Sequence, residues 1–404
     1  MSETTNRGKV AILHQGCVPV YRRAFFERLS TTYDTPYHVF HGNPPSNTSL
    51  QAAQGPFVFG NTKVTNRELK LGKSIIVYQP VVFKYLFGGF KAAVIGHEFK
   101  FLTNLIILLF SKLLRRPVVW WGFGYRKALV AWQQGGKPSK KDKLAKWASD
   151  KLALLGDGYL AYTDAGKSYL VDIGMPPDRV QVLRNTIDIE EQIALADAEA
   201  ARPSAEIREE LGLMPDSIVL LYIGRLITKK KIDLLIKFGL EHSQVNSKTI
   251  EILIIGDGAE RAQLVSQAQG CSTIHFLGAL DPSDPKIARA FRVCAAVVIP
   301  GFLGLAINHA FAHGRPVITQ KHDFHSPEID YLTDKTDGLL LSAKDDVFCE
   351  ELAEYVRDEA RQKTLAANAL KTRENLRMDH MVRSFDTFMT GLLEKSDSRD
   401  VQAR

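Results

Sequence analysis

A chain of 404 residues, 45% apolar and 24% charged, has material for two or three domains with full cores and the composition of an ordinary globular protein. Its net charge of +7 suits phosphate-bearing ligands or an anionic membrane surface. With no aromatic-basic ribonucleoprotein signature and no zinc-finger spacing, no nucleic acid is expected as a partner. Four scattered cysteines, Cys17, Cys271, Cys294 and Cys349, make no CxxC pair and point to buried, reduced thiols.

The first residues, Met-Ser-Glu-Thr-Thr-Asn-Arg, hold no apolar signal core, so a cytoplasmic location is expected. The longest apolar stretch, Leu105 to Phe110, falls far short of the roughly 20 residues a spanning helix needs. Residues 8–13 read as a first strand, left through His14-Gln15-Gly16, and a helix follows with Phe25, Phe26 and Leu29 inward. Further strands are expected at Tyr37 to Phe40, Ser74 to Tyr78, Ala92 to Ile95 and Pro117 to Trp121, with a helical pattern from Leu102 to Leu114. Alternating strands and helices imply a doubly wound parallel sheet.

From Lys137 to Lys151 runs a basic patch with Lys140, Lys141, Lys143 and Lys146, set against Asp142 and Asp150 and accompanied by Trp132 and Trp147. Two readings stand: a solvated helix face, or a footing on an anionic membrane with tryptophan at the headgroups. Gly158 to Thr163 is a strand, and Arg184-Asn185-Thr186-Ile187-Asp188 is a turn. The segment Glu190 to Glu210, rich in Ala, Glu and Asp, reads as the crossing between domains.

The second half holds several apolar β-type runs, three of which lead into glycine. Ser217 to Gly224 leads into Arg225-Leu226 and, three residues on, Lys230; Ile250 to Ile255 ends in Gly256-Asp257-Gly258; Thr273 to Leu277 precedes Gly278. Ala295 to Ile299 ends at Pro300, and a turn, Gly301-Phe302-Leu303-Gly304, opens a short helix from Leu305 to His313 that Gly314 caps. Strand, glycine turn and helix together aim backbone N–H groups at an anion. Ala306, His309, Ala310 and His313 share one face of that helix, a face with little bulk that a ligand or another backbone can approach. Four histidines, His309, His313, His322 and His325, fall close together, but no carboxylate stands between the first two, so no metal is expected.

Gly304-Leu305, Ala310-Phe311-Ala312, Gly314-Arg315-Pro316-Val317, the Gly224-Arg225-Leu226-x-x-x-Lys230 element and Pro327-Glu328 resemble the signature of glycosyltransferase family 4, the retaining, nucleotide-sugar-dependent enzymes of GT-B fold. The likeness is clear from about 200 to 345 and holds only in outline before that. Two signature glutamates are replaced, by Gly301 and His309. The resemblance implies an α/β GT-B chain: two Rossmann-like domains facing a cleft, 1–195 for the acceptor and 200–375 for the donor, with a last helix, 378–394, crossing back to the first.

By the same resemblance, Arg225 and Lys230 stabilise the charge that grows on the departing diphosphate, a task fixed cations perform without a metal or other cofactor. Gly224, Gly256, Asp257, Gly258, Leu277, Gly301, Phe302, Leu303, Gly304 and Leu305 would line the donor site. His309 would keep a ribose contact, Glu328 would bind a donor hydroxyl, and the backbone N–H groups of 302–304 would replace the missing glutamate at 301. Strand-end residues of the first half can meet the acceptor: His14, Gln15 and Gly16 to bind it, and His97 with Glu98 to share a proton, against the alternative of a packed histidine. The reading is a glycosyltransferase that moves a sugar from a nucleotide sugar to a glycan or lipid-linked acceptor in envelope or capsule synthesis. Its rivals are a nucleotide-sugar 2-epimerase of the same fold and a non-catalytic nucleotide-binding subunit. A Rossmann dehydrogenase is disfavoured, since no Gly-x-Gly-x-x-Gly follows the first strand.

Overall fold

The computed structural model describes residues 8–402 except 47, 49, 73, 126–138 and 323. Trp132 and Lys137 of the basic patch therefore lie outside the described residues. The chain divides into two compact units: one built from residues up to Asn185 together with the stretch from Met378 on, the other from Thr186–Arg377.

The first unit is built on seven strands: β1 (Lys9–Leu13), β2 (Tyr37–His41), β3 (Gly60–Lys63), then, after an antiparallel pair, β6 (Phe90–Gly96), β7 (Val118–Gly122), β8 (Gly158–Ala161) and β9 (Val180–Val182). They pair in parallel in the order β3-β2-β1-β6-β7-β8-β9. The inner strands are apolar on both sides because helices cover both faces. Helices Arg23–Thr32 and Met378–Gln402 cover one, where Phe25, Phe26, Trp121, Met381 and Phe385 pack together. Helices Val82–Phe87, Leu102–Leu113, Lys140–Leu154 and Asp164–Asp172 cover the other, through Tyr85, Ile107, Ala153 and Leu170.

One expected sheet strand is placed differently. Ser74 to Tyr78 is apolar enough for a core strand, but it forms β5 (Ser74–Tyr78), paired antiparallel with β4 (Arg67–Leu71) in a separate hairpin. Gly72, at φ +60°, makes the tight reversal possible.

The second unit holds β10 (Ile218–Ile223), β11 (Gln244–Val245), β12 (Lys248–Ile255), β13 (Ile274–Gly278), β14 (Cys294–Val298), β15 (Val317–Gln320) and β16 (Gly338–Leu341). The sheet runs β11-β12-β10-β14-β15-β16, with β13 on β12, and only β11 is antiparallel. Ile223 lies beside Ile255, Ile255 beside Gly278, and Val298 beside Ile318. The carboxyl ends of these strands are thus level, and the turns that leave them gather at one sheet edge, where α/β proteins place ligands. The segment expected to cross between domains instead forms helices Ile189–Ala198 and Ser204–Glu210, packed on helices Pro285–Val293 and Ala306–Ala312 of the second unit. Arg289 ties them down through Glu199 at 2.9 Å and Glu210 at 2.6 Å.

Candidate functional site

The glycines after β10, β12 and β13 exist so that three turns can interlock. Gly224 N–H donates to Ile255 O, Gly256 N–H to Gly278 O, and Leu226 N–H to Asp257 O, at 2.7–3.0 Å. A Cβ on Gly256, which sits at φ +146°, would lie 1.8 Å from Gly224 O, and one on Gly258 would lie 2.2 Å from Leu226 O. Asp257 turns back to accept from Gly258 N–H at 2.7 Å, and Leu277, the residue before Gly278, is half-buried beside this lattice. Gly224, Gly256, Gly258 and the backbone of Asp257 are therefore together; their direct contribution is a fixed frame.

On that frame stand three cations with different fates from one run of sequence. Lys231, at φ 52°, heads helix Ile232–Glu241 and is paired with Asp345 and Gln320. Lys229 reaches over the Phe302 ring, 3.8 Å from its centroid, a cation–π contact. Lys230 is buried, its ammonium 5.4 Å from the same ring. Burial, with Lys229 and Arg225 close by, pushes the Lys230 ammonium down to about 8. Burial and Arg225 likewise lower Lys229. Arg225 is exposed, and Tyr222 holds its carbonyl at 2.8 Å. Among the described residues no carboxylate pairs with Arg225, Lys229 or Lys230. Three cations crowded without a counter-charge make a site that an anion of two or more charges would relieve. Lys229 was not singled out from the sequence; only its packing on Phe302 separates it from its neighbours.

Gly301 explains itself by contact. Its N–H donates to Lys230 O at 2.9 Å, and Phe302 N–H donates to Lys229 O at 2.7 Å. A Cβ at 301 would stand 2.2 Å from Lys229 O and 2.7 Å from Lys230 C. The turn after β14 is thus stapled to the lysine loop, and no side chain fits at 301. The same bonds correct one expectation. Phe302 N–H is spent on Lys229, and Leu303 N–H donates to His325 Nδ1 at 3.0 Å. Of the N–H groups at 302–304, only that of Gly304 lacks an acceptor among the described residues; Leu305 follows it into the helix.

The four histidines divide into two pairs with separate tasks. His325 is a strut: Nδ1 accepts from Leu303, and Nε2 donates to Gln320 O at 2.7 Å. His322 contacts Gln320 Oε1 at 3.0 Å. His309 and His313 both meet Gln192 Oε1, at 3.2 and 3.4 Å, while Gln192 Nε2 donates to Pro282 O at 3.2 Å. The small face of helix Ala306–Ala312 is therefore covered by helix Ile189–Ala198. Burial pushes His309 down to about 4 and His313 to about 3, so both are neutral at pH 7. An amide oxygen can only accept; His309 Nδ1 must carry the proton, which leaves Nε2 as an acceptor. Gln192, far away in sequence, was missed. Glu328, in the turn Pro327–Tyr331, is buried and accepts from the Ser326 hydroxyl. Among the described residues, no group of three or more His, Cys, Asp or Glu could hold a metal ion.

In the first unit His97 and Glu98 do not form an acid–imidazole couple. His97 Nδ1 accepts from Tyr159 Oη at 3.0 Å and Nε2 donates to Ser149 O at 3.2 Å, and burial pushes the ring down to about 4. Glu98 pairs instead with Lys100 at 2.6 Å. The geometry is that of the packed histidine. Gly16 O accepts from Gly42 N–H, Asn66 and Gln79 at 2.8–3.3 Å, and Gln15 Oε1 accepts from Tyr21 at 3.1 Å. His14 is buried, stacked on Trp121 at 4.3 Å, and bonded through Nε2 to Tyr162 at 3.0 Å; among the described residues its Nδ1 has no partner. Of these five residues, His14 alone keeps a buried side-chain polar atom without a partner among the described residues.

Residues 217–358 match the family description Glycosyl transferases group 1, in keeping with the resemblance read from the sequence. A D-inositol 3-phosphate glycosyltransferase of Thermobifida fusca is 25% identical over 201 residues, 46% of this chain and 44% of that protein. The chain spans about half the length of the curated relatives it matches. Among solved structures, Anabaena HepE in complex with UDP has a TM-score of 0.64 at 15% identity, over 95% of this chain and 100% of that one. The sucrose-phosphate synthase of Thermosynechococcus elongatus has a TM-score of 0.69 at 15% identity, over 96% and 100%. The fold is that of the GT-B glycosyltransferases.

Proposed function

We propose that the chain is a glycosyltransferase that takes a sugar from a nucleotide-sugar donor and passes it to a glycan or lipid-linked acceptor, with retention of anomeric configuration, in envelope or capsule synthesis. One observation carries the reading: Arg225, Lys229 and Lys230 form an uncompensated cationic cluster over the level ends of β10, β12 and β14. A nucleotide-sugar donor leaves as a diphosphate, and charge builds on it as the glycosidic bond breaks. Arginine holds such an oxyanion in bidentate fashion and a lysine adds a point charge. Held in place before the reaction, these cations stabilise the leaving group without a metal.

His309 Nε2, an acceptor by virtue of Gln192, suits a ribose hydroxyl, and Glu328 with Gly304 N–H suits the sugar. His14, with its unused Nδ1, is the first-unit residue best suited to the acceptor. HepE was solved with UDP and with UDP-glucose, so uridine diphosphate sugars come first among donors to try. Thermal shift across a series of nucleotide sugars, followed by transfer assays with the donor that shifts most, tests the reading. A series with no shift for any nucleotide sugar contradicts it. Donor turnover that needs no acceptor would instead indicate a 2-epimerase.

His309→Ala should weaken binding of the free nucleoside diphosphate by about 1 kcal/mol, the net worth of one hydrogen bond, without unfolding the domain. Titration calorimetry reads this directly, and unchanged affinity would leave His309 a packing residue.

The reading also places the protein on the inner face of the cell membrane, as a peripheral protein. No helix of the described residues is long and apolar enough to cross one. Helix Lys140–Leu154 starts with a capping box between Ser139 and Asp142 and exposes Lys140, Lys141, Lys143 and Trp147, while Lys146 is paired with Asp150 at 2.6 Å. If this face meets anionic lipid, Lys140→Glu with Lys141→Glu should weaken vesicle binding, and added salt should do the same. Binding indifferent to both would make the patch an ordinary solvated face.

A further inference from the structure

Helix Leu102–Leu113 is apolar on the side that faces water. Its inner positions, Thr103, Asn104, Ile107, Leu108 and Ser111, are buried against the sheet. Its outer positions are Leu102, Leu105, Ile106, Leu109, Phe110 and Leu113, spaced at i, i+3, i+4, i+7, i+8 and i+11, one continuous stripe. Leu109 is 60% and Leu113 69% exposed. The neighbouring helix Val82–Phe87 adds Phe83 and Phe87, 78% and 81% exposed, their rings stacked 6.5 Å apart. Isolated exposed leucines need no explanation, but a joined apolar patch of this kind marks a contact surface.

The charges around the stripe say what covers it. Between Val82 and Pro117 the sequence has six cations, Lys84, Lys91, Lys100, Lys112, Arg115 and Arg116, and one acid, Glu98, which Lys100 already pairs. At the stripe's C-terminal end lies a cavity of about 650 Å³ into which Lys112, Arg115, Arg116, Arg179 and Lys395 all face. Its two acids are engaged, Asp157 with Lys112 at 2.8 Å and Asp178 near Lys395 at 4.0 Å. An apolar stripe that ends in a hollow where Arg115, Arg116 and Arg179 add positive charge beyond the two ion pairs is complementary to acyl chains beneath anionic headgroups. We propose that the face formed by helices Val82–Phe87 and Leu102–Leu113 is a docking surface for an anionic lipid bilayer, with Phe83, Phe87, Leu109 and Leu113 entering the interface and the hollow taking a headgroup phosphate. This surface does not depend on the transfer reaction, and it is distinct from the lysines of helix Lys140–Leu154.

Co-sedimentation of the full chain with vesicles tests it, using phosphatidylglycerol mixed with phosphatidylcholine against phosphatidylcholine alone. Binding to the anionic vesicles is expected, with the partition falling by about ten-fold or more in Phe83→Glu/Phe87→Glu, since two large apolar side chains leave the interface. Both side chains are exposed, so the variant should fold, and an unchanged thermal midpoint verifies that. Arg115→Glu should lower binding to the anionic vesicles and flatten its salt dependence. Equal binding to both vesicle types, or a double variant that binds like the parent while Lys140→Glu/Lys141→Glu does not, overturns the proposal. So does a lipid-free dimer, seen by light scattering, that Phe83→Glu/Phe87→Glu dissolves, because the stripe would then be covered by a second copy of the chain.

Discussion

Lys230→Ala is expected to lower the rate of sugar transfer by about 100-fold or more, the scale of removing one preorganised charge-stabilising group. The argument starts from burial. A lysine held at about 8 by its surroundings is charged at pH 7 only at a cost, and its nearest charged neighbours are cations. Such a group gains most when a diphosphate arrives, and more again as negative charge collects on the leaving phosphate. Because the interaction grows toward the transition state, the loss should appear in kcat more than in KM. Lys230→Arg is a useful second variant: it keeps the charge but adds bulk at a buried position, and Lys229 and Arg225 are untouched in both. Steady-state kinetics at pH 7 check the expectation, and near-normal turnover in Lys230→Ala would remove the residue from the site.

Gly301→Glu, which restores the glutamate of the resembled family, is expected to damage the protein instead of improving it. A Cβ there meets the carbonyl oxygen of Lys229 at 2.2 Å, and both are backbone-bound in a double staple between 229–230 and 301–302. The clash involves backbone atoms, so no side-chain rotation relieves it. Overpacking of this kind costs about 1–3 kcal/mol, and the movement that relieves it displaces Lys229 and Lys230. A lowered thermal midpoint together with lost nucleotide binding is the expected result. Gly301→Ala should share most of the loss, since the Cβ alone collides. A Gly301→Glu protein with the parent's midpoint and higher turnover would show that the loop can yield and that the position remains open to a catalytic carboxylate.

Much of the second unit was legible because three of its strands are apolar runs that lead into glycine: Gly256 and Gly258 are demanded by contacts between neighbouring strand ends, and Gly224 by its φ of +144°. The edges were not. β3, with the sequence Gly-Asn-Thr-Lys, carries no apolar signal because an edge strand of this kind has little to bury, and Ser74 to Tyr78 looks like a core strand because pattern cannot say which partner it will choose. Within the site, the resemblance selects Lys230 from the run Lys229–Lys231, but nothing local in the sequence shows that burial, ring contact and ion pair set these three identical side chains apart. It placed His97 correctly at a strand end, yet the partners that make it a packed ring, Tyr159 and Ser149, come from elsewhere in the chain. Gln192, which sets the tautomer of His309, lies on a helix read as a domain crossing. Long-range partners of this sort decide protonation, and a linear pattern does not contain them.

The central claim is that the Arg225–Lys229–Lys230 cluster receives a donor diphosphate, and titration calorimetry tests it most directly. Uridine diphosphate and uridine would each be titrated into the protein at neutral pH and at alkaline pH. Lys230 has its acid–base midpoint near 8 in the free protein, so it is charged below that pH and loses its proton above it; a bound anion favours the charged form. The account predicts that the diphosphate binds far more tightly than the nucleoside, that its affinity falls as pH rises through 8, and that binding on the alkaline side takes up a proton. Equal affinity for diphosphate and nucleoside, with no dependence on pH and no proton uptake, would contradict it.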